Sequence, residues 1–123
     1  MKLVDSSGWL EYLTDGPLAD KYEEYLADLD QVLTPTVVLH EVYRWVKRER
    51  SEEEALLVVA QLEKTHVASL SATVALTAAD LGLEHGLAMA DSIVYATAAM
   101  NGVELVTGDR DFASLPRVVY LSE

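Results

Sequence analysis

The strongest constraint in this 123-residue chain is an alternation of short apolar runs with longer segments of helical periodicity. Lys2 to Val4, Val32-Leu33, Val67 to Leu70, Glu104 to Thr107 and Val118 to Leu121 are each too brief for a helix, and they read as strands. Between them lie helix signals. Ser6-Ser7-Gly8 offers cap chemistry for a short helix through Trp9, Leu10 and Leu13. Asp15-Gly16-Pro17 is a turn, with Pro17 at the start of a helix that runs to about Leu29 and carries Leu18, Tyr22, Tyr25, Leu26 and Leu29 on one stripe. Thr34-Pro35 reads as cap plus first residue of a longer helix through Val38, Val42 and Val46. Ser51 to Glu54 forms a capping box whose helix ends near Lys64, and Ser71 caps another ending between Gly82 and Gly86. An alanine-rich helix from Ala88 to Met100 is stopped by Asn101-Gly102. Strand-helix alternation along the whole length predicts one α/β domain over residues 1–123: a three-layer α/β/α sandwich around a mostly parallel five-stranded sheet.

Composition narrows the chemistry. Half of the residues are hydrophobic, enough for a core without staples, and no cysteine is present, which excludes disulfides and thiolate metal sites. The early Asp5 interrupts any signal-peptide apolar run, and no stretch is long and apolar enough to span a bilayer, so a cytoplasmic protein without membrane contact is expected. The formal charge of −12 argues against a partner held by broad phosphate neutralisation. Such acidity is compatible with nucleic acid if carboxylates gather into a metal site, where divalent cations reverse the local field. Otherwise it suits a basic protein partner.

The carboxylates therefore decide the reading. Ligands of open parallel sheets gather beyond the carboxyl ends of strands, where the strand order reverses. Asp5 closes the first strand and Asp109 lies just past the fourth, so the two meet across one crevice if those strands are neighbours. Taken singly, each would also suit a cap or a surface loop. Glu41 shares a helix row with Val37 and Trp45, which turns it towards core or crevice unless the helix is rotated slightly towards its polar face. Asp91 shares a row with Leu87 and Tyr95, although an aspartate in a first helical turn also complements the helix dipole without any site. As a constellation, four such carboxylates suit a hard cation, Mg²⁺ first and Mn²⁺ next. His40, His66 and His85 show no paired ligand spacing and read as surface or structural residues.

The local strings resemble those of PIN-domain ribonucleases. Leu3-Val4-Asp5-Ser6-Ser7 is similar to that family's opening strand, and Thr34 through Val42 to the helix that supplies its glutamate. Met89-Ala90-Asp91-Ser92-Ile93-Val94-Tyr95-Ala96-Thr97-Ala98 resembles the helix opening with its third acid, and Leu105 through Phe112 its closing threonine, aspartate and phenylalanine motif. The likeness extends over essentially the whole chain, which resembles the toxin half of a VapC-type toxin–antitoxin pair. It implies Mg²⁺- or Mn²⁺-dependent cleavage of RNA leaving a 5′-phosphate, with Asp5, Glu41, Asp91 and Asp109 as catalytic metal ligands. It further implies Asp111 as a supporting or second-metal residue, and Ser6 and Thr107 as hydroxyls that orient the carboxylates or a water. Gly8 and Gly108 depart from the commonest family residues and are expected to lie outside the chemistry.

The same resemblance implies a homodimer and an antitoxin partner seated in a groove. Tyr22, Tyr25, Leu26, Trp45, Leu56 and Val59 are candidates for its walls, or for plain core. Arg44, Lys47, Arg48 and Arg50 cluster towards one helix C-terminus, where cations are favourable in any case, and could otherwise grip RNA phosphates or an acidic antitoxin segment. Rival functions are a PIN nuclease of RNA maturation or decay and a catalytically silent PIN module. A phosphoacceptor receiver domain is excluded, because Leu70-Ser71 and Leu121-Ser122 stand where its aspartate and lysine would be needed.

Overall fold

In the computed structural model, which describes residues 1–123, the sheet is built from β1 (Lys2–Val4), β2 (Val32–Pro35), β3 (His66–Ala68), β4 (Glu104–Thr107) and β5 (Val118–Tyr120). The spatial order is β3-β2-β1-β4-β5 and every pairing is parallel. Six helices, α1 (Ser6–Leu13), α2 (Ala19–Leu26), α3 (Thr36–Glu49), α4 (Glu52–Leu62), α5 (Ala72–His85) and α6 (Met89–Met100), complete the three-layer α/β/α sandwich. None of them is long and apolar enough to cross a membrane.

A parallel strand covered on both faces has no solvated side, so its apolar residues run on instead of alternating. That is how β1, β2 and β4 read: Leu3, Val4, Val32, Leu33, Leu105 and Val106 are all buried. The edge strands β3 and β5 are only partly covered. Trp9 from α1, Tyr22 from α2, Val38 and Val42 from α3, Leu62 from α4 and Phe112 fill the space around the sheet. α6 is buried throughout Ser92 to Ala98, and its alanines let it approach β2 and β4 closely.

Helix ends follow local chemistry, with departures from expectation at α2 and α3. The Ser51 and Ser71 side chains cap α4 and α5 by accepting from the amides of Glu54 (3.0 Å) and Val74 (3.2 Å). Gly86 ends α5 at φ +69°, a left-handed position that glycine takes without strain. Thr34 and Pro35, in contrast, belong to β2. They pair with Val67 and Ala68, and α3 begins at Thr36 without a side-chain cap. Strand pairing outweighs the helix-start signal, and the buried Thr34 hydroxyl is paired with that of Thr65 at 2.6 Å. α2 also begins later and ends earlier than its apolar stripe suggests: its stripe residues Tyr22 and Leu26 are core, and Leu29 lies in a separate 3-10 turn, Leu29–Gln31.

The chain builds β1, β2 and β3 outward in one direction and then returns to place β4 on the other side of β1. The order therefore reverses between β1 and β4, and their carboxyl ends open onto the crevice that such a reversal creates.

Candidate metal centre

Asp5 leaves β1 at that reversal and is buried with 5 % of its surface exposed. Its amide donates to Val106 O (3.3 Å), tying the strand end to β4, and its side chain is itself the N-cap of α1. The expected cap residues thus lie inside the helix. Oδ1 accepts from the Ser7 hydroxyl (2.7 Å) and the Gly8 amide (3.1 Å), while Oδ2 accepts from the Thr107 hydroxyl (2.6 Å). A carboxylate offers about four acceptor sites, so one on Oδ2 remains open. Burial raises the Asp5 pKa and Asp109's charge adds to the rise, while the three hydrogen bonds oppose it.

Each oxygen of Asp5 is held by a relay from the loop after β4. The Gly108 amide donates to Ser7 Oγ (3.2 Å), which donates to Oδ1. The Asp109 amide donates to Thr107 Oγ1 (2.9 Å), which donates to Oδ2. Contrary to expectation, Gly8 and Gly108 both engage the site through their amides. An added Cβ on Gly8 would come within 2.5 Å of the Tyr22 ring and 2.7 Å of Val4, so α1 can sit this close to α2 and β1 only with glycine there.

The remaining acids arrive from three directions. Asp109 caps the 3-10 turn Arg110–Phe112 by accepting from the Asp111 amide (2.9 Å), which projects both residues from the loop after β4. Asp91 enters from the first turn of α6. One carboxylate oxygen each of Asp91, Asp109 and Asp111 lies within 4.8 Å of the others. Burial lifts the Asp91 pKa to about 6, and the charges of Asp109, Asp111, Glu41 and Asp5, in that order, push the same way. Glu41 is half-buried on α3. Burial raises its pKa, with Asp5's charge adding to this, whereas the Ser6 side chain and His40 favour its ionised form.

The seven residues singled out from sequence thus converge on one end of the sheet. Asp91, Asp109 and Asp111 form the tightest group, with Asp5 and Glu41 close enough to affect Asp91 electrostatically but outside that trio. Ser7 was missed: its role depends on the first turn of α1 folding back over the Asp5 carboxylate. An all-oxygen group of like charges, one of whose members (Asp91) is raised in pKa by burial and then by its neighbours' charges, is stabilised by a hard divalent cation and has the donor chemistry to hold one.

Of the groove candidates, Tyr22 and Leu26 are core, Trp45 and Val59 are partly covered, and Leu56 is 55 % exposed. All three histidines lie outside the acidic group, with His85 packed edge-on against Tyr95.

Comparison with known proteins accords with this architecture. The family model for the PIN domain matches residues 2–118. A search of curated proteins yields no match. Among solved structures, a toxin–antitoxin complex from Klebsiella pneumoniae superposes with a TM-score of 0.82 at 25 % identity, covering 97 % of this chain and 96 % of that one. VapC20 of Mycobacterium tuberculosis, a sarcin–ricin-loop-cleaving toxin, gives 0.76 at 18 % identity over 96 % and 97 % of the two chains. DNA-bound VapBC from Salmonella typhimurium gives 0.74 at 14 % over 98 % of each. At those two lower identities the likeness is one of fold.

Proposed function

The chain belongs to the PIN-domain family, and from that premise we propose that it is a metal-dependent endoribonuclease acting in the cytoplasm as the toxin of a VapC-type toxin–antitoxin pair. The observation that carries this reading is the convergence of Asp91, Asp109 and Asp111 beside the hydroxyl-bound Asp5 where the strand order reverses. The likeness at 25 % identity to a toxin–antitoxin complex supports the toxin role and an antitoxin partner.

In this reading Asp5, Glu41, Asp91 and Asp109 hold Mg²⁺ or Mn²⁺, with Asp111 as an additional ligand. A divalent ion bound there would supply Lewis-acid polarisation of the phosphodiester and activation of an attacking water. The chain's own groups prepare the site. Ser7, Gly8 and Thr107 fix both oxygens of Asp5, leaving it little freedom to rotate away. The Ser6 side chain favours the ionised form of Glu41 and so opposes the burial that raises its pKa. Asp91, with a pKa of about 6, sheds its proton near neutrality when a cation offsets its neighbours. A second copy of the chain would cover the apolar face of α5 and α6.

The deciding experiment is incubation of the purified chain with total RNA in Mg²⁺, in excess EDTA, and as Asp5→Asn. Site-defined cleavage in Mg²⁺ alone is expected, silenced by co-expression of a small protein encoded beside it. Undiminished cleavage in EDTA or by Asp5→Asn would refute the mechanism.

A further inference from the structure

Four of the nine Lys and Arg residues lie between positions 44 and 50, a local excess of cations on a chain of net charge −12. They are not equivalent. Lys47 is engaged with Tyr43 and with Glu52 (3.4 Å each), and its ammonium lies over the Tyr43 ring. Arg48 is exposed and paired with the adjacent Glu49 (3.0 Å). Arg44 is exposed and makes no ion pair.

His40, Arg44 and Arg48 recur every four residues, which sets them along one row of α3 about 6 Å apart. That spacing is close to the phosphate repeat of an extended single strand. The row borders a groove of about 470 Å³ that also contains Ser6, Glu41 and Trp45, and Ala90 beside Asp91, so it opens at the Glu41 edge of the acidic centre. A second basin of about 460 Å³ widens it along His40, Tyr43, Arg44, Lys47 and Arg48.

We propose that this face of α3 is the track for the single-stranded RNA flanking the scissile bond, with Arg44 and Arg48 as positioning residues for the neighbouring phosphates. The proposal rests on the nuclease reading and names where its substrate lies. A strand reacting at the carboxylates must place its next phosphates about one nucleotide away, and the row begins one residue from Glu41. An acidic protein segment would also complement the row, but nothing would require it to lie beside a cluster of carboxylates. Salt-sensitive contacts here also answer how so acidic a chain holds a polyanion.

The test compares Arg44→Glu/Arg48→Glu with Arg44→Gln/Arg48→Gln and with Lys21→Glu/Lys64→Glu, which matches the charge reversal on residues outside the groove. Binding of a fluorescein-labelled single-stranded RNA in Mg²⁺ is followed by anisotropy over a salt series, in an Asp5→Asn background. Both groove variants should lose affinity, the charge reversal by about tenfold or more. The slope of log affinity against log salt should shrink by about 1.4 for two lost contacts. The Lys21/Lys64 control should bind with the slope unchanged. With Asp5 restored, KM should rise far more than kcat falls. Circular dichroism melting checks folding, and the glutamine pair carries the test if the reversed pair is unstable. Equal affinity and slope in the groove variants would overturn the track, including the case in which the row serves an acidic protein segment instead. Failure of the unmodified chain to cleave any RNA would instead count against the nuclease reading, and the two failures are read independently.

Discussion

The hydroxyl of Thr107 donates to Asp5 Oδ2 at 2.6 Å, joining residues 102 positions apart at the ends of neighbouring strands. The same hydroxyl accepts from the Asp109 amide at 2.9 Å. One side chain therefore sets both the orientation of a buried carboxylate and the path of the loop that presents Asp109 and Asp111. Thr107→Val keeps the shape but leaves Asp5 Oδ2 and the Asp109 amide without that partner. Loss of such an outer partner typically costs about 10- to 100-fold in metal affinity, and Thr107→Ser should recover most of it. Mn²⁺ titration by calorimetry checks both; equal affinity in the valine variant would remove Thr107 from the site's support.

Asp91 provides a pH dependence of definite sign. Its pKa is raised from 3.8 to about 6, first by burial and then by the surrounding carboxylates. The folded state thus binds this proton more tightly than the unfolded chain does. In EDTA the resulting stability is fully present below about pH 4 and is lost as the pH rises through about 6. Cation binding has the opposite trend, because the ion must displace the proton. Mg²⁺-dependent cleavage and Mn²⁺ affinity should therefore fall towards tenfold per pH unit below about 6. A metal affinity flat from pH 5 to 7 would contradict this assignment of Asp91.

Much of the fold was legible because its central strands carry unbroken apolar runs and the turn and cap residues between them act locally, as Ser51, Ser71 and Gly86 do. The acids were legible for a similar reason: a carboxylate that closes an apolar strand or opens a buried helix has few bland explanations. Misreadings arose where a distant partner overrides local preference. Thr34-Pro35 has the composition of a helix start, yet pairing with Val67 and Ala68 keeps it in the sheet. Ser7 and the amides of Gly8 and Gly108 act through three-dimensional closure around Asp5, which no spacing rule reports.

Gly8 carries a stability prediction separable from the chemistry. A methyl there would meet the Tyr22 ring at 2.5 Å and Val4 at 2.7 Å, both buried parts of the core. Gly8→Ala should cost about 1–3 kcal/mol by overpacking. At Gly16 the added methyl would meet the end of the Glu11 side chain, which can swing aside, so Gly16→Ala should cost clearly less. Urea unfolding of the two variants in EDTA provides the comparison, and equal losses would mean that α1 and α2 have room to separate.

The apolar surface of α5 and α6 yields the last prediction. Leu83 is 87 % exposed, Met89 79 % and Leu76 70 %, and a cleft of about 600 Å³ lined chiefly by Leu70, Ala75, Ala78, Leu83, Leu87 and Ile93 lies between the helices. Scattered exposed leucines need no explanation, but Leu83 and Met89 both line the cleft, an arrangement that would suit burial against a second copy of the chain. If a second copy covers it, a charge placed at its most exposed point has nowhere dry to pair and is expelled from the interface. Leu83→Glu retains a good helix former, so α5 itself should persist. Light scattering after size exclusion should then give the mass of two chains for the unmodified protein and of one for Leu83→Glu, each with the same far-ultraviolet dichroism. Two chains in both, or one in both, would mean that this face does not join copies of the protein.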